Sequence, residues 1–405
     1  MIESLKATYL RLLDELNIDT FRYLYASFSL DDGRLIGLIG PRGVGKTTLL
    51  LQFIKNRLPD RDAAFYFSAD HIYFNKNTIL EFVTNLHEEE DIRIFFIDEI
   101  HKYANWNQEL KNLYDSLPNI TIVFSGSSSL DLIKGSHDLS RRAIMHHLRG
   151  LSFREYINFS SGAHHEPIPL ADILEDPAGT AARIATIPRL KGLFKEYLRH
   201  GYYPFVFEDK THFFPRLDSV INKTIYEDIA NYYNLKTKNL HYFKKILSFL
   251  ATIPPGSINI HNLANNLGID SKTTLHYVQI LSDTGLVRIV SADKKGSRLL
   301  RSPEKIFLDN PTLLHALCDA LDQEADPGTV RELVFVCLLD DAGYRVFGRK
   351  KRGDFTVEKT VFEIGGRNKK NRQIRNMDQP AFLVKDGVLA GGKRTIPLHL
   401  FGFLQ

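Results

Sequence analysis

The 405-residue sequence is poor in the residues that carry thiolate chemistry. Its two cysteines, Cys318 and Cys337, both lie in apolar segments with helical periodicity. This spacing is neither a disulfide framework nor a Cys-x-x-Cys metal motif, so we expect buried, reduced thiols. The scarcity of cysteine therefore argues against a disulfide-stabilised scaffold and against a zinc-thiolate site.

Long apolar runs are also missing. No stretch approaches the roughly 18 residues that span a bilayer, and the N-terminal residues lack the apolar core and small-residue cleavage site of a secretory signal. Hydrophobic residues still make up 43% of the chain, which is enough for ordinary cores, and the length predicts about two to four domains. We expect a cytoplasmic protein with no membrane partner.

The net charge is only +4, but basic residues are concentrated in one segment. Residues 345–375 contain eleven Lys or Arg and three acids, which is +8 and leaves −4 for the rest of the chain. Such a segment fits a phosphate backbone, of DNA or RNA, or an acidic partner. The alternative is a solvated surface with no partner.

A glycine-rich motif follows the apolar run at residues 35–39. The pattern GxxxxGK[ST] lies between a predicted strand and a predicted helix, where backbone amides and a helix N-terminus bind phosphate. Lys46 is predicted to contact the β and γ phosphates, and the Thr47 hydroxyl to bind Mg²⁺. The predicted nucleotide-binding residues here are Gly40, Pro41, Arg42, Gly43, Val44, Gly45, Lys46, Thr47 and Thr48.

Strands and helices alternate after this motif. Strands are predicted over 63–68, 92–98 and 120–129, and helices over 77–90 and 107–117. Continuous apolar strands separated by helices predict an α/β fold, in which a parallel sheet is covered by helices on both faces. Functional residues of such sheets gather at the carboxyl ends of the strands.

Two polar clusters are predicted at that edge. Asp98 and Glu99 lie at the end of one strand, where Asp98 would hold Mg²⁺ directly or through water and Glu99 would orient or deprotonate the water that attacks the γ-phosphate. Ser125 and Ser127 end another strand and are either a γ-phosphate sensor or a polar turn.

Two arginines precede an apolar, strand-like stretch that begins at Ala143. One of them, Arg141 or Arg142, could stabilise transition-state charge on a nucleotide, either in its own subunit or across an interface between identical subunits. A solvated loop arginine is the alternative.

The chain resembles the prokaryotic AAA+-related P-loop ATPases of the archaeal/STAND-like branch, which carry a C-terminal domain of unknown function. The resemblance is carried by GPRGVGKTTLLLQ, FFIDEIHKYANWNQELKNLYDSLPN, IVFSGSSSLDL, DLSRRA and LRGLSFREY. It implies ATP and Mg²⁺ as cofactors, with Lys46 and Thr47 on MgATP and the acidic pair in the roles given above. It also implies Arg142 as the finger arginine, although Arg141 stands where these proteins commonly have Gly.

The second half has the pattern of a winged helix after a helical bridge. A Gly268-centred turn joins two predicted helices and a strand follows, so residues 271–281 would be a recognition helix and 291–302 a wing. A protein-contact module is the alternative to DNA binding. The candidate phosphate contacts are Lys272, Thr273, His276, Lys294, Lys295 and Arg298.

The C-terminal part resembles the restriction-endonuclease-like fold. Its order of helix Glu332, strand Asp354 and strand Glu363, followed by a basic helix with Gln373, matches the carboxylates that hold Mg²⁺ in such nucleases. The lysine expected two residues after Glu363 is Gly365, so Arg367 or Lys369 would have to reach back. This departure favours a degenerate, nucleic-acid-binding or structural version over an active nuclease.

The predicted domains are a P-loop ATPase (1–160), a helical bridge (161–238), a winged helix (239–308) and a small α/β nuclease-like domain (309–405). We expect ATP hydrolysis to drive a conformational switch that controls the C-terminal, nucleic-acid-binding half. The alternatives are a nucleotide-bound regulator or scaffold without turnover, and a metal-dependent nuclease.

Overall fold

A computed structural model describes residues 2–126, 139, 141–233, 235–254, 259–292, 305–375 and 377–405. The chain forms two compact units, Met1–Arg149 and Gly150–Gln405. The first unit therefore ends earlier than the predicted boundary at residue 160, and the other predicted boundaries lie inside the second unit. No helix in the described ranges has the length and apolar character needed to cross a bilayer.

The first unit is built on a five-stranded parallel sheet. Its strands are β1 (Leu35–Ile39), β2 (Ala64–Ser68), β3 (Ile94–Asp98), β4 (Thr121–Gly126) and β5 (Ala143–His147), in the spatial order β2-β3-β4-β1-β5. The accompanying helices are α1 (Ile2–Glu15), α2 (Tyr23–Ser27), α3 (Lys46–Arg57), α4 (Ile79–Glu90) and α5 (Trp106–Ser116). The predicted parallel α/β fold is confirmed.

Burial explains why these strands read as continuous apolar runs. All five residues of β1 are buried, and β2, β3 and β4 each have one half-buried residue at an end. Aromatic rings fill the space under α4, where Phe67 and Phe82 pack edge to face with centroids 5.0 Å apart. Because both faces of the central strands are covered, polar groups are confined to strand ends.

The second unit begins with helices. Their bounds are α6 (Phe153–Ser161), α7 (Leu170–Glu175), α8 (Pro177–Ile184), α9 (Leu190–His200), α10 (Phe213–Lys223), α11 (Ala230–Tyr233), α12 (Thr237–Thr252), α13 (Ile260–Leu267), α14 (Ser271–Asp283), α15 (Pro311–Ala320) and α16 (Pro327–Asp341). Cys318 and Cys337, on α15 and α16, are buried free thiols, as predicted.

Two sheets accompany these helices. Strands β6 (Val287–Val290) and β7 (Lys305–Leu308) pair antiparallel. A mixed sheet has the order β12-β11-β10-β9-β8, and its strands are β8 (Val346–Gly348), β9 (Phe355–Val357), β10 (Thr360–Gly365), β11 (Ala381–Lys385) and β12 (Thr395–Pro397). Helix α16 packs on this sheet through Phe335, whose ring lies 5.1 Å from that of Phe362.

A buried arginine ties these parts of the second unit together. Arg288 on β6 is 6% exposed and forms ion pairs with Asp309 (3.2 Å), Asp340 (2.6 Å) and Asp341 (2.7 Å). Its guanidinium also donates to the Tyr202 hydroxyl at 3.3 Å. The paired strands β6 and β7 are thereby joined to the end of α16 and to the turn after α9 that contains Tyr202.

We predict that Arg288→Met strongly destabilises the protein, because Asp309 and Asp341 stay buried without their cation. Breaking one partner of a buried ion pair costs about 3–5 kcal/mol. The free energy of unfolding, measured by urea denaturation, should fall by that amount. The matched control is Arg199→Met, which removes the exposed Arg199–Asp319 pair at 3.4 Å. An exposed pair contributes about 0–1 kcal/mol. Equal losses in both variants would contradict the assignment.

Candidate functional site

The glycine-rich loop connects the end of β1 to the start of α3. Gly43 (φ 85°) and Gly45 (φ 93°) have left-handed backbone conformations, which residues other than glycine rarely adopt. At Gly40 the constraint is steric, because a Cβ there would collide with the carbonyl oxygen of Leu148. The loop conformation thus requires these glycines, and it brings the predicted residues Gly40–Thr48 together.

Lys46 lies across this loop. Its Nζ donates to the carbonyl oxygens of Gly40 (2.8 Å) and Pro41 (2.9 Å), and the residue is 5% exposed. A cation held by loop carbonyl oxygens, together with the N-terminus of a twelve-residue helix, is a favourable environment for phosphate groups.

Asp98 is the buried acid of the site. It is 3% exposed and ends β3, and its carboxylate accepts from the hydroxyls of Thr47 at 2.5 Å, Tyr66 at 2.9 Å and Ser125. The backbone amide of Glu99 donates to the same carboxylate at 3.1 Å. Thr47 and Asp98, predicted separately from two motifs, are in direct contact.

The donor set at this contact fits Mg²⁺. A threonine hydroxyl and a carboxylate are hard oxygen ligands, and Mg²⁺ in nucleotide sites is held by one or two such groups together with phosphate oxygens. Thr47 would bind the ion and Asp98 would hold it directly or through water, and the ion neutralises charge on the phosphates when bound.

Glu99 follows Asp98 in a left-handed conformation (φ 51°) at the start of a short 3₁₀ turn, Ile100–Lys102. Its Oε2 is buried and accepts no hydrogen bond from the described residues. The ring nitrogen Nε2 of His101 lies 3.5 Å from that oxygen. Glu99 is next in sequence to the acid that contacts Thr47, and a carboxylate oxygen that accepts no hydrogen bond there is suited to accept a proton from a substrate water.

Ser125 is placed differently from the predicted sensor. Its hydroxyl donates to Asp98 Oδ1 and accepts from the Glu99 amide at 3.3 Å, and the residue is fully buried. The hydroxyl is therefore committed to the acidic pair, which does not support its expected role towards the γ-phosphate. Ser127 lies outside the described residues.

Arg142 is far from the loop of its own subunit. Ala143 pairs with Leu35 at the amino end of β1, whereas the phosphate loop follows the carboxyl end at Ile39. Five strand residues separate these edges by roughly 16 Å. The Arg142 guanidinium instead pairs with Asp115 at 3.0 Å. This placement does not support action of Arg142 within its own chain, and its role as a finger arginine stays a prediction.

Two residues of the first unit were missed by the sequence motifs. Tyr66 donates to Asp98 from the neighbouring strand β2. Arg22, 5% exposed, donates to the carbonyl oxygens of Val44, within the phosphate loop, and of Arg149 at 2.7 Å. A hydroxyl within a buried strand was the signal for Tyr66, and backbone partners leave no sequence signal for Arg22.

A second cluster lies in the second unit. Glu363 on β10 is fully buried and forms an ion pair with Lys369 at 2.6 Å, while Glu332 on α16 pairs with Lys305 at 2.6 Å. The backbone amide of Ile364 donates to Asp354 at 2.7 Å. Burial raises the pKa of both Glu332 and Glu363, against the opposing effect of the two lysines. The three predicted carboxylates are therefore neighbours of two ammonium groups.

Gly365 explains how Lys369 reaches Glu363. A Cβ at Gly365 would overlap the aliphatic part of the Lys369 side chain, so glycine leaves room for the lysine to fold back. Among the described residues, no group of three His, Cys, Asp or Glu side chains is arranged to hold a metal ion. The predicted basic helix is wrong, since the residues after Gly365 form turns, and Gln373 is exposed there and takes no part in the cluster.

The helix-turn-helix pattern is formed by α13 and α14. Gly268 (φ 70°) ends α13, and the Asp270 side chain caps α14 by accepting from the Thr273 amide and hydroxyl at 2.9 and 2.6 Å. Lys272 and His276 are exposed, whereas the Thr273 hydroxyl is used in this cap. Lys294, Lys295 and Arg298 lie outside the described residues.

Comparison with protein families identifies two segments. Residues 32–157 match the model of an AAA domain, and residues 191–324 match a domain of unknown function (DUF8612). The second match crosses the predicted boundaries at 238 and 308. A search among curated proteins found no match to this chain.

Solved structures give weaker likenesses. The chain is similar to Hsp104 of S. cerevisiae in complex with ADP, with 17% identity over 67% of this chain and 39% of that chain and a TM-score of 0.34. It is similar to PCH-2 of C. elegans with 19% identity over 37% of this chain and 42% of that chain and a TM-score of 0.24. It is also similar to AMPPCP-bound DnaA of Aquifex aeolicus, with 16% identity over 64% of this chain and 86% of that chain and a TM-score of 0.26. The chain spans about two fifths of the length of Hsp104 and PCH-2.

We predict that Arg22→Ala weakens ADP binding about tenfold, because the Val44 carbonyl loses a charged donor of the kind that contributes about 1.5–3 kcal/mol. Isothermal titration of the full chain would measure the change. Arg57→Ala is the matched control, since Arg57 donates to the carbonyls of Tyr25 (2.8 Å) and Phe28 (2.7 Å) and not to the loop. The same affinity in both variants would rule out an anchoring role.

Proposed function

We propose that the segment matching the AAA-domain model, residues 32–157, hydrolyses MgATP and thereby switches the state of the second unit, which binds a nucleic acid. The observation that carries the proposal is the meeting of three parts at one sheet edge. These are the phosphate loop with Lys46, the Thr47–Asp98 contact at 2.5 Å, and the unsatisfied Glu99 Oε2.

Each group has one role in this proposal. Lys46 and the loop amides bind the β and γ phosphates, and Thr47 with Asp98 holds the metal ion. Glu99 accepts the proton of the attacking water through Oε2, which accepts no hydrogen bond from the described residues. Arg142 would complete the site of a neighbouring subunit, which requires an assembly of identical chains.

We predict that Glu99→Gln binds MgATP like the wild type but releases phosphate more slowly by a factor of about 100 or more, because it loses only the proton acceptor. Lys46→Ala should lose nucleotide affinity as well. Steady-state phosphate release and nucleotide titration measure these effects, and Glu88→Gln, an exposed acid on α4, is the matched control.

The alternative to turnover is a regulator that binds nucleotide without hydrolysing it. That alternative would be favoured if the wild type binds MgATP but its phosphate release is at background level and equal to that of Lys46→Ala and Glu99→Gln. It would contradict the assignment of Glu99 as the proton acceptor.

The basic segment supports the nucleic-acid part of the proposal. Nine of the eleven basic side chains in residues 345–375 are exposed, and the exceptions, Arg349 and Lys369, are half-buried. Exposed cations concentrated in one segment supply the sequence-independent attraction to a phosphate backbone. The helix-turn-helix of α13 and α14 adds a second surface of the kind that enters a groove.

Binding without cleavage is the version that the second cluster supports. A carboxylate must be free to ligate a metal, and both Glu332 and Glu363 have an ammonium group at 2.6 Å. Burial works to lower the pKa of Lys369, but the hydrogen bond and charge of Glu363, together with the charges of Asp354 and Glu332, make the net shift upward. The lysine thus stays charged and paired.

We predict that the combined substitution Lys351→Glu, Arg367→Glu and Lys370→Glu weakens DNA and RNA binding by about tenfold or more and reduces its salt dependence. The control carries the same charge change on exposed residues elsewhere: Arg183→Glu, Lys191→Glu and Lys195→Glu. Fluorescence anisotropy across a salt series measures binding. Equal losses in both variants would refute the surface, and Mg²⁺-dependent cutting that is lost in Asp354→Ala would favour a nuclease instead.

A further inference from the structure

Tyr66 is a buried side chain at the acidic edge that no motif includes. It lies on β2, which pairs in parallel with β3 so that Tyr66 is opposite Phe96 and Ser68 is opposite Asp98. Paired strand residues point to the same face of a sheet, and residues two apart share a face. The Tyr66 ring therefore lies on the same face as Asp98, and its hydroxyl donates to Asp98 Oδ2 at 2.9 Å.

The carboxylate of Asp98 is saturated with donors. Oδ2 accepts from Thr47 and Tyr66, and Oδ1 accepts from Ser125 and from the Glu99 amide. An ionised carboxylate has about four lone-pair positions. Direct coordination of a metal by Asp98 would require one of these donors to leave.

The Thr47 hydroxyl has capacity that Asp98 lacks. When it donates its proton to Asp98, its oxygen lone pairs remain available for a metal ion. Asp98 then fixes the direction of the Thr47 hydroxyl, and Tyr66 and Ser125 fix Asp98. Partners of this kind, one step removed from the metal, orient the ligand that touches it.

We infer that Tyr66 is a positioning residue of the metal site: its hydroxyl holds the Asp98 carboxylate, and Asp98 in turn orients the Thr47 hydroxyl. The inference rests on the proposed nucleotide site and names a residue that it lacked. The Tyr66 hydroxyl keeps its proton and can donate it to Asp98, since burial and then the charge of Asp98 raise the pKa of Tyr66.

The experiment compares ADP dissociation constants of the full chain by isothermal titration, in excess Mg²⁺ and in EDTA. The ratio of the two constants measures the metal contribution without any turnover. Tyr66→Phe removes only the hydroxyl. It should leave the affinity in EDTA unchanged and reduce the ratio about tenfold, as loss of such a partner does at other metal sites.

Tyr9→Phe is the matched control. Tyr9 is 5% exposed, its ring centroid lies 6.3 Å from that of Tyr66, and its hydroxyl makes no hydrogen bond within the described part of the chain. This variant should keep the wild-type ratio. A second arm combines Tyr66→Phe with Thr47→Val. Because Tyr66 acts through Asp98 on Thr47, the double variant should have the same ratio as Thr47→Val alone.

An unchanged ratio in Tyr66→Phe would overturn the inference, as would equal reductions in both phenylalanine variants or additive losses in the double variant. Failure of the proposed nucleotide site has a different signature. In that case the wild type itself would bind no ADP, or would bind it equally well with and without Mg²⁺.

Discussion

The parallel alignment of β1, β4 and β3 is the constraint on which the candidate site depends. Strands that run in the same direction end at the same edge, so the loop after β1 meets the acid that ends β3 although 51 residues separate Thr47 from Asp98. Ser125 on the intervening strand β4 contacts the same acid. If one of these strands were reversed, its polar end would lie at the opposite edge and the donor set would not form.

The sequence motifs predicted the parts of this site that have local signals. Glycines in the left-handed region and an acid at the end of an apolar strand are visible in a few consecutive residues, so the loop from Gly40 and the acid Asp98 could be located in advance. Tyr66 and Arg22 could not. One contacts a side chain on another strand, and the other contacts only backbone carbonyls. Neither contact leaves a spacing that a motif can encode.

Sequence proximity was misleading where topology decides position. Arg142 precedes its strand, so a parallel sheet places it at the edge away from the phosphate loop. The opposite happened in the second unit, where the lysine missing from position 365 is supplied by Lys369 in space. The turns after β10 bring the Lys369 side chain back to Glu363, and they stand where a helix was expected. Reach across a turn depends on backbone geometry that residue order alone does not determine.

Glu99 connects the metal-binding acid to the proposed proton acceptor through a single peptide group. Its amide donates to both Asp98 Oδ1 (3.1 Å) and Ser125 Oγ (3.3 Å), its backbone is left-handed, and its Oε2 lies 3.5 Å from His101 Nε2. A non-glycine residue in this region is held there by its surroundings. Asp98 and Ser125 are part of those surroundings, so the hydrogen bonds of Asp98 help to hold the backbone that positions Glu99. The hydroxyls of Thr47, Tyr66 and Ser125 therefore position two carboxylates, of which they touch only one.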